Sequence, residues 1–502
     1  MRRLDLSSGH GRWFVDWPDD HSQPFDRNLQ LFRRRRPYRK IRVLVDGDLL
    51  VDLIPPLVPT PSELLVALLE HPLISSVRYT DDGPPPSLPR VDDTGAVDGW
   101  AVATRWPDEF GWEVLYTEGD RRIRHSGIVG NGYRVAEQDT RGSGVYDELG
   151  PEEAARRRVA DWIASQVAAQ AIGADLFVTE RKYLRQAEWA IAQGTTICSP
   201  AEAVALIGLY LRSQDDFSVL PSVPLGRMFF FWVGARELLG EGWRLTKHCA
   251  GHDRLSGADS MIALSGTIFQ RFARALEARD QVQVATNQTH TNDALEQAMS
   301  AVDVVLLSLM GSFDASARLA HRLLQLSESE RYAGWQYRRW VSNVNESAPE
   351  LAGVVEHGTD GHAVLTVVRL LRNSIHGAAL QGVALQSAAG PTESAVELPA
   401  EDETELLAAI DRLGGRDQWG IRLQYPGSML FDPAAFVDRL FEGAIELLNA
   451  LLAALPLDRL PESPLEEARY PQTPDWQDPF LPWKRGAVRL LLGFPGELSV
   501  RA

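Results

Sequence analysis

Cysteine is nearly absent from this chain of 502 residues, which contains only Cys198 and Cys249. Two cysteines cannot form the disulfide framework of a secreted domain, and their scarcity favours a reducing cytoplasm. Long apolar runs are missing too, since no stretch reaches the roughly 18–20 uninterrupted apolar residues that a membrane span requires. The first residues, Met1-Arg-Arg-Leu-Asp5, are not followed by the apolar segment of a signal peptide. These absences predict a cytoplasmic protein with no membrane partner.

Positive charge is scarce as well, and the net charge is −17. Phosphate contacts dominate non-specific affinity for nucleic acid, so this charge argues against a constitutive, non-specific binder. The charge is uneven: residues 1–45 carry eleven Arg and Lys against five Asp, a net of +6, which leaves −23 for the rest. Residues 1–40 have no periodic pattern and predict a loosely ordered basic arm. Its dense run, 33–40, is either a solvated lead-in to a strand or a nucleic-acid-binding arm.

One nucleotide-binding signature and one hydrolase signature are also missing. The chain has no Walker A sequence and no Gly-x-Ser-x-Gly elbow. The glycines of the segment 127–132 lie among strand-like residues with no helical pattern after them, so we interpret the segment as a turn. We therefore expect no dinucleotide ligand.

Two patterns divide the remaining chain. From 41 to 215 short β-branched runs alternate with helices, which indicates a parallel sheet with crossover helices, and alternating residues at about 90–145 predict an antiparallel β insertion. From 225 to 460 apolar residues recur at three-four spacing, which predicts a helical bundle with separate helices at 295–309 and 313–326 and a strand-like insert at 381–425. Residues 461–502 are rich in Pro and Trp and show no assignable pattern. We expect an α/β domain followed by an all-α domain.

Acidic residues stand where the predicted strands end. Asp46 closes the run 41–46, Glu180 follows the run 174–179, and Asp161 lies on the intervening helix. The reactive site of an open α/β sheet lies outside the carboxyl ends of its strands. Carboxylates that converge there bind Mg²⁺ or Mn²⁺, which hydrolyse phosphodiesters by generating a hydroxide and clamping the phosphate. The alternative is that Asp46 merely caps a strand.

Residues 41–211 resemble PIN-like nuclease domains. The segment 43–48, Val-Leu-Val-Asp-Gly-Asp, is similar to the first PIN strand with its catalytic aspartate, and 173–184 with 194–202 are similar to the closing strands and helices. The resemblance implies that Asp46 and Asp161 are metal ligands, with Glu180 as a shifted last acid and Glu63 as a guess for another. The chain departs from the family at Arg181, where PIN enzymes usually carry an acid.

The segment 369–377, Arg-Leu-Leu-Arg-Asn-Ser-Ile-His-Gly, closes a long apolar helical stretch with a polar face. At helical spacing Arg369, Arg372, Asn373 and His376 share that face. A guanidinium binds phosphate oxygens in a bidentate fork, and histidine transfers protons near neutral pH. The face therefore predicts chemistry on a phosphodiester. The alternative is an ordinary helix end, in which basic residues offset the dipole and Gly377 supplies the cap.

This segment resembles the Arg-x(4–6)-His signature of HEPN-domain ribonucleases, in which a polar residue, often Asn, follows the arginine. The resemblance implies metal-independent RNA cleavage, in which the 2′-hydroxyl attacks its own phosphate and leaves a cyclic phosphate end. Arg369 or Arg372 would steady the phosphate, His376 would transfer protons and Asn373 would orient the pair. It further implies a homodimer with a composite site. Arg372 lies one residue too close to His376 for the signature, and Leu370 instead of a polar residue follows Arg369.

Three hypotheses about function remain open at this stage. The first is an RNA endonuclease of the prokaryotic toxin or phage-defence type that uses the Arg/His motif, and the second is a metal-dependent PIN-type nuclease that uses Asp46 and Asp161. The third is a non-catalytic sensor or scaffold that retains both folds. A weaker pattern, His248-Cys249-Ala-Gly-His252, suggests zinc but has no fourth ligand at recognisable spacing, so incidental histidines are the alternative.

Overall fold

The first strand, β1 (Ile41–Asp46), forms as predicted, because its apolar residues are buried on both faces. This computed structural model describes residues 39–50, 59–81, 97–105, 111–128, 131–138, 145–185, 195–221, 223–256, 260–287, 291–377, 380–386, 392–398, 403–425, 428–457, 460 and 482–494. The predicted basic arm, except residues 39 and 40, and most of the Pro/Trp-rich segment lie outside these ranges.

The N-terminal half is built on a seven-stranded, mostly parallel sheet within the ranges given. Its remaining strands are β2 (Ile74–Asp81), β3 (Gly99–Arg105), β4 (Gly111–Glu118), β5 (Arg121–Ile128), β6 (Leu176–Val178) and β7 (Thr196–Cys198). The strand order is β5-β4-β3-β2-β1-β6-β7. Strands β3, β2, β1, β6 and β7 are parallel to one another, whereas β4 and β5 add an antiparallel edge next to β3. The order changes direction at β1, which is the switch point where ligands bind in such sheets.

Helices cover both faces of this sheet. They are α1 (Pro61–Leu69), α2 (Asn131–Gln138), α3 (Pro151–Gln166) and α4 (Pro200–Ser213). Val43 and Val45 pack in the same core as α1 and α4, while Leu44 packs in the same core as α3. Capping boxes start α1 at Thr60 and α4 at Ser199. A π-helical turn extends α3 to Ile172, and Gly173, with φ of 62°, ends it as predicted.

The second half is mainly helical. Its elements are α5 (Arg227–Leu238), α6 (Gly240–Ser256), α7 (Ser260–Thr286), α8 (Asn292–Leu323), α9 (Arg338–Ser347), α10 (Pro349–Gly353), α11 (Asp360–Gly377), α12 (Glu403–Arg412), α13 (Pro433–Ala453) and α14 (Pro482–Leu491). The short strands β8 (Ser218–Leu220) and β9 (Val223–Pro224) form a hairpin before α5. The strands β10 (Gly382–Gln386), β11 (Thr392–Glu397), β12 (Ile421–Tyr425) and β13 (Ser428–Phe431) form a four-stranded antiparallel sheet.

One hydrophobic core runs from β1 through the helical half to α14. The last helix, which the sequence pattern did not place, packs against α4 and α5. Arg212 of α4 pairs with Asp280 of α7 and donates to the Leu491 carbonyl at 3.0 Å. Arg279 donates to the Leu492 carbonyl at 2.8 Å. The two halves therefore share buried side chains and buried polar contacts.

Helix α8 is the longest described helix and merges the two helices predicted at 295–309 and 313–326. The expected break at Gly311 and Ser312 is absent, because the small residues let α7 approach closely. A Cβ on Gly311 would lie 3.2 Å from Arg271, and the Ser312 hydroxyl donates to the Ile268 carbonyl at 3.4 Å. Among the described residues, this one helix is long and apolar enough to cross a membrane, and 67% of its most apolar window is buried inside the protein.

Three expectations about the N-terminal half need correction. Strand β2 was not predicted, because Ser75, Ser76 and Arg78 interrupt its apolar pattern. The predicted β insertion is not separate, since β3 pairs directly with β2 and continues the central sheet. A helix, α2, begins at Asn131, inside the segment 127–132 that was expected to be a turn, and Ala136 is buried in the same core as α3.

Candidate functional site

The carboxyl ends of β1 and β2 place two aspartates at the switch point of the sheet. Asp46 ends β1 and Asp81 ends β2. Asp161 reaches the same place from α3, and Arg181 follows β6. The structure thus brings together Asp46 and Asp161, as the sequence predicted. It adds Asp81, which lies on a strand that the sequence pattern did not predict.

Arg181 is the cation at the centre of these carboxylates. Its Nε and Nη2 donate to the two carboxylate oxygens of Asp46 at 2.9 and 3.0 Å, a bidentate pair. Its Nη1 lies 2.6 Å from Asp81 Oδ2 and 3.2 Å from Asp161 Oδ1. The guanidinium also lies over the Tyr79 ring, 5.4 Å from its centroid. The Arg181 side chain is only 9% exposed, so it forms these contacts away from bulk water.

Further hydrogen bonds hold this centre in place. The Thr179 hydroxyl donates to Asp46 Oδ2 and accepts from the Arg181 backbone N–H at 3.1 Å. The Tyr146 hydroxyl donates to Asp161 Oδ2 at 2.7 Å. Burial raises the pKa of Asp161 to about 6, although Arg181 and Tyr146 oppose the shift. Burial and the nearby Asp81 hold the pKa of Tyr79 well above its usual range.

The remaining predicted acids lie away from the centre. Glu180 points outward and pairs with Arg185 at 3.3 Å. Glu63 closes the capping box of α1 with Thr60. Within the part of the chain that the structure describes, no group of three His, Cys, Asp or Glu side chains is arranged to hold a metal ion. Asp46, Asp81 and Asp161 would be the ligands of a divalent cation here only if Arg181 moved out.

The predicted motif lies in the last turns of α11, and its two arginines face different neighbours. Arg369 Nη2 contacts Glu405 Oε1 of α12 at 2.6 Å. Arg372 Nη1 donates to Asn373 Oδ1 at 3.3 Å. Burial raises the pKa of Asp314 on α8, and Arg372 opposes that shift. His376 lies in the last turn of α11, and its side chain is outside the described part. Arg369 and Arg372 therefore face different elements, α12 and α8, and the structure does not bring the two guanidinium groups to one site.

Arg369 lines a cleft of about 1240 Å³ between α9, α10, α11 and α12. Two histidines and two further arginines line the same cleft: His357, His362, Arg338 and Arg412. The rings of His357 and His362 have centroids 5.2 Å apart. The sequence pattern had not indicated this pair of histidines, although His362 lies seven residues before Arg369, which places both on one face of the helix.

A tight turn brings the two histidines together. Gly358, with φ of 89°, adopts the left-handed conformation that side chains disfavour, and reverses the chain between α10 and α11. The Thr359 hydroxyl then accepts from the His362 backbone N–H at 3.1 Å, which caps the first turn of α11. Burial and the positive charges of His357 and Arg369 lower the pKa of His362 from its usual 6.5. The lowered pKa keeps His362 neutral at pH 7, so it can accept a proton.

The His248–His252 segment on α6 does not assemble zinc ligands in the described structure. Cys249 is a buried free thiol, and burial raises its pKa to about 12. His252 Nδ1 is 3.2 Å from Asp253 Oδ1.

Comparison of the chain with models of protein families, with curated proteins and with solved structures finds no match. The PIN-like and HEPN-like resemblances therefore rest on the residues quoted for them. The structure itself shows a mostly parallel sheet in the N-terminal half and a mainly helical second half.

Proposed function

We propose that the protein is a metal-independent RNA endonuclease of the prokaryotic toxin or phage-defence type, acting in the cleft beside α11. The observation that carries the proposal is the pair of imidazoles, 5.2 Å apart, in a cleft that is also lined by Arg338, Arg369 and Arg412. Cyclising cleavage of RNA needs a base, an acid and a cation for the phosphate. The cleft contains side chains of each kind.

The proposed roles follow from the environment of each side chain. His362, held neutral, takes the proton from the 2′-hydroxyl, whose oxygen attacks the adjacent phosphorus. The bond from phosphorus to the 5′-oxygen breaks, and His357 in its protonated form gives a proton to that oxygen. Arg369 binds the phosphate, for which it exchanges its ion pair with Glu405. The product is a 2′,3′-cyclic phosphate.

Arg369 keeps the role that the HEPN resemblance implies, whereas the two proton transfers are assigned to His362 and His357. His376 lies seven residues after Arg369, and His362 lies seven residues before it. Helical spacing therefore places one histidine about two turns before the arginine and the other about two turns after it, on the same face. Asn373 accepts from Arg372 and orients that guanidinium. His376 in a second copy of the chain would then complete a composite site.

A second function is favoured for the N-terminal half, namely that of a non-catalytic support or sensor. Arg181 contacts Asp46, Asp81 and Asp161 and takes the place at which a Mg²⁺ or Mn²⁺ ion would have to bind. The metal-dependent alternative requires this buried guanidinium to move. A PIN-like fold without PIN-type chemistry is therefore the hypothesis we favour for this half.

The first test is cleavage of RNA in the presence of EDTA. We expect total RNA to be cut by the full chain with EDTA at millimolar concentration, and DNA of matched sequence to stay intact because it lacks the 2′-hydroxyl. Mass spectrometry of the products should find cyclic phosphate ends. Cleavage that stops with EDTA and returns with Mn²⁺ would contradict the proposal and move the chemistry to the N-terminal half.

A homodimer in the cytoplasm is part of the same proposal. Helix α13 is covered within the chain, but Val304 and Leu307 of α8 are 43% and 40% exposed and lie one turn apart. We expect light scattering at micromolar concentration to give twice the mass of one chain. Val304→Glu with Leu307→Glu should give a monomer, since buried charges oppose association. A strict monomer in the unmodified protein would remove the composite site with His376.

A further inference from the structure

A short segment on the rim of the cleft exposes two aromatic rings. Tyr332 ends a single 3₁₀ turn (Glu330–Tyr332), and Tyr337 directly precedes α9. Their side chains are 52% and 50% exposed. They are five positions apart in the sequence, so the two Cα atoms lie at most about 18 Å apart. A few stacked nucleotides span such a distance.

Two tryptophans of the same segment hold it to the protein. Trp335 and Trp340 are buried and pack edge to face, with ring centroids 4.9 Å apart. Trp335 Nε1 donates to Ser316 Oγ at 2.9 Å, and Trp340 Nε1 donates to His321 Nδ1 at 3.3 Å. Two of the four rings are therefore anchors on α8. Tyr337, between the two tryptophans in the sequence, and Tyr332, which precedes them, are therefore exposed on a segment that is fixed to α8.

The charges around the tyrosines suit a polyanion. Arg331 lies over the Tyr332 ring, 4.5 Å from its centroid, and donates to the Tyr332 hydroxyl at 2.6 Å. Arg338 and Arg339 follow Tyr337 directly. The nearby acids are already paired, Glu330 with Arg322 at 2.9 Å and Glu328 with Arg339 at 3.2 Å. The segment thus combines exposed rings with guanidinium groups in a chain whose net charge is negative.

The surface leads directly into the cleft. Trp335, Gln336 and Arg338 all line it, so the exposed Tyr337 lies between two residues of the cleft wall. A strand whose bases rest on the tyrosines can place its backbone near Arg338 and continue toward Arg369 and His362. Bases are free to stack on aromatic side chains only where they are unpaired.

We propose that Tyr332 and Tyr337, with Arg331, Arg338 and Arg339, bind single-stranded RNA and deliver it to the cleft. This inference names the substrate class of the proposed endonuclease and rests on that function. A duplex is excluded, because its bases are already stacked and its width keeps them from these rings. The Arg–Tyr surface supplies affinity without base specificity, since every base has a face that can stack.

The test is the binding of a fluorescent uridine dodecamer to the full chain in EDTA, followed by fluorescence polarisation. Tyr332→Ala and Tyr337→Ala should each weaken binding about five-fold or more. Tyr332→Phe and Tyr337→Phe should bind as the unmodified protein does, because stacking needs the ring and not the hydroxyl. Ile128→Ala, an exposed apolar change in the N-terminal sheet, is the matched control and should have no effect.

The outcomes separate this inference from the proposed function. Equal affinity of the alanine and unmodified proteins, no binding at all, or equal affinity for a duplex of the same length would overturn the inference. Cleavage of the dinucleotide UpA should be unchanged in the tyrosine variants, because this substrate is too short to reach from the cleft to the Arg–Tyr surface. If the alanine changes weaken binding but no RNA is cut, the surface stands and the endonuclease proposal fails.

Discussion

Arg181→Met is expected to lower the free energy of unfolding by about 3–5 kcal/mol at pH 7, the range for breaking a buried ion pair. The change removes the guanidinium that Asp46, Asp81 and Asp161 share, so the buried carboxylates of Asp46 and Asp161 lose it, while Arg157 remains 3.8 Å from Asp161. Methionine keeps most of the side-chain volume, so the decrease in the free energy of unfolding measures the loss of the charge and not the creation of a cavity. Urea denaturation followed by circular dichroism measures it.

The destabilisation should shrink as the pH falls from 7 toward 5. Burial already raises the pKa of Asp161 to about 6 with Arg181 present, and removing that cation raises it further. The native variant then binds more protons than the unfolded chain at pH values between the unfolded and the native pKa. Stability consequently increases as the pH falls through that window. The variant therefore regains stability relative to the unmodified protein under mildly acidic conditions.

Arg156→Met is the matched control, because Arg156 is exposed and its ion pair with Glu153, at 2.8 Å, lies at the surface. Its unfolding free energy should change by no more than about 0.5 kcal/mol. Mn²⁺ should stabilise Arg181→Met, where three carboxylates lose their cation, and leave the unmodified protein unaffected. A loss below about 1 kcal/mol in Arg181→Met, or stabilisation of the unmodified protein by Mn²⁺, would show that Arg181 does not occupy this centre.

The sequence predicted those elements whose burial has a simple pattern. Strand β1 is apolar on both faces, and both its span and its terminal acid were found. Strand β2 alternates Ser and Arg with apolar residues and was missed, and Asp81 was missed with it. In the helical half, three-four spacing predicted a helical bundle, but α12 lies inside the segment predicted to be strand-like and α14 was not predicted. The same spacing divided α8 at Gly311, because a pattern cannot tell a break from a close approach between helices.

The candidate sites depended on contacts that no local pattern encodes. Arg181 was visible as a departure from the expected acid, but its reach to three carboxylates depends on how β6 and α3 meet β1 and β2. In the helical half, the sequence pattern indicated Arg369 but not the histidines His357 and His362 that line the same cleft. The pairing of His362 with His357 depends on the turn at Gly358. This turn places His357, which precedes α11, beside His362 in the first turn of that helix.

His362→Gln is expected to reduce RNA cleavage by about 10²- to 10⁴-fold, the usual contribution of a general base. Glutamine keeps hydrogen-bonding groups and approximate size but cannot take a proton at neutral pH. Single-turnover cleavage of a short RNA in EDTA measures the rate, and thermal unfolding checks that the variant is folded. Arg244→Ala, which removes an exposed arginine paired with Glu241 on α6, should cleave at the unmodified rate.

The pH profile distinguishes a base from a structural histidine. Burial, His357 and Arg369 lower the pKa of His362, so the acid limb of the cleavage rate should have its midpoint below 6.5. Arg369→Ala removes a positive charge and also frees Glu405, whose charge favours the imidazolium. Both effects raise the pKa of His362, so the acid limb should move to higher pH while the plateau rate falls. A plateau that falls with no movement of the limb would mean that another group is the base, and His376 would be the next histidine to replace.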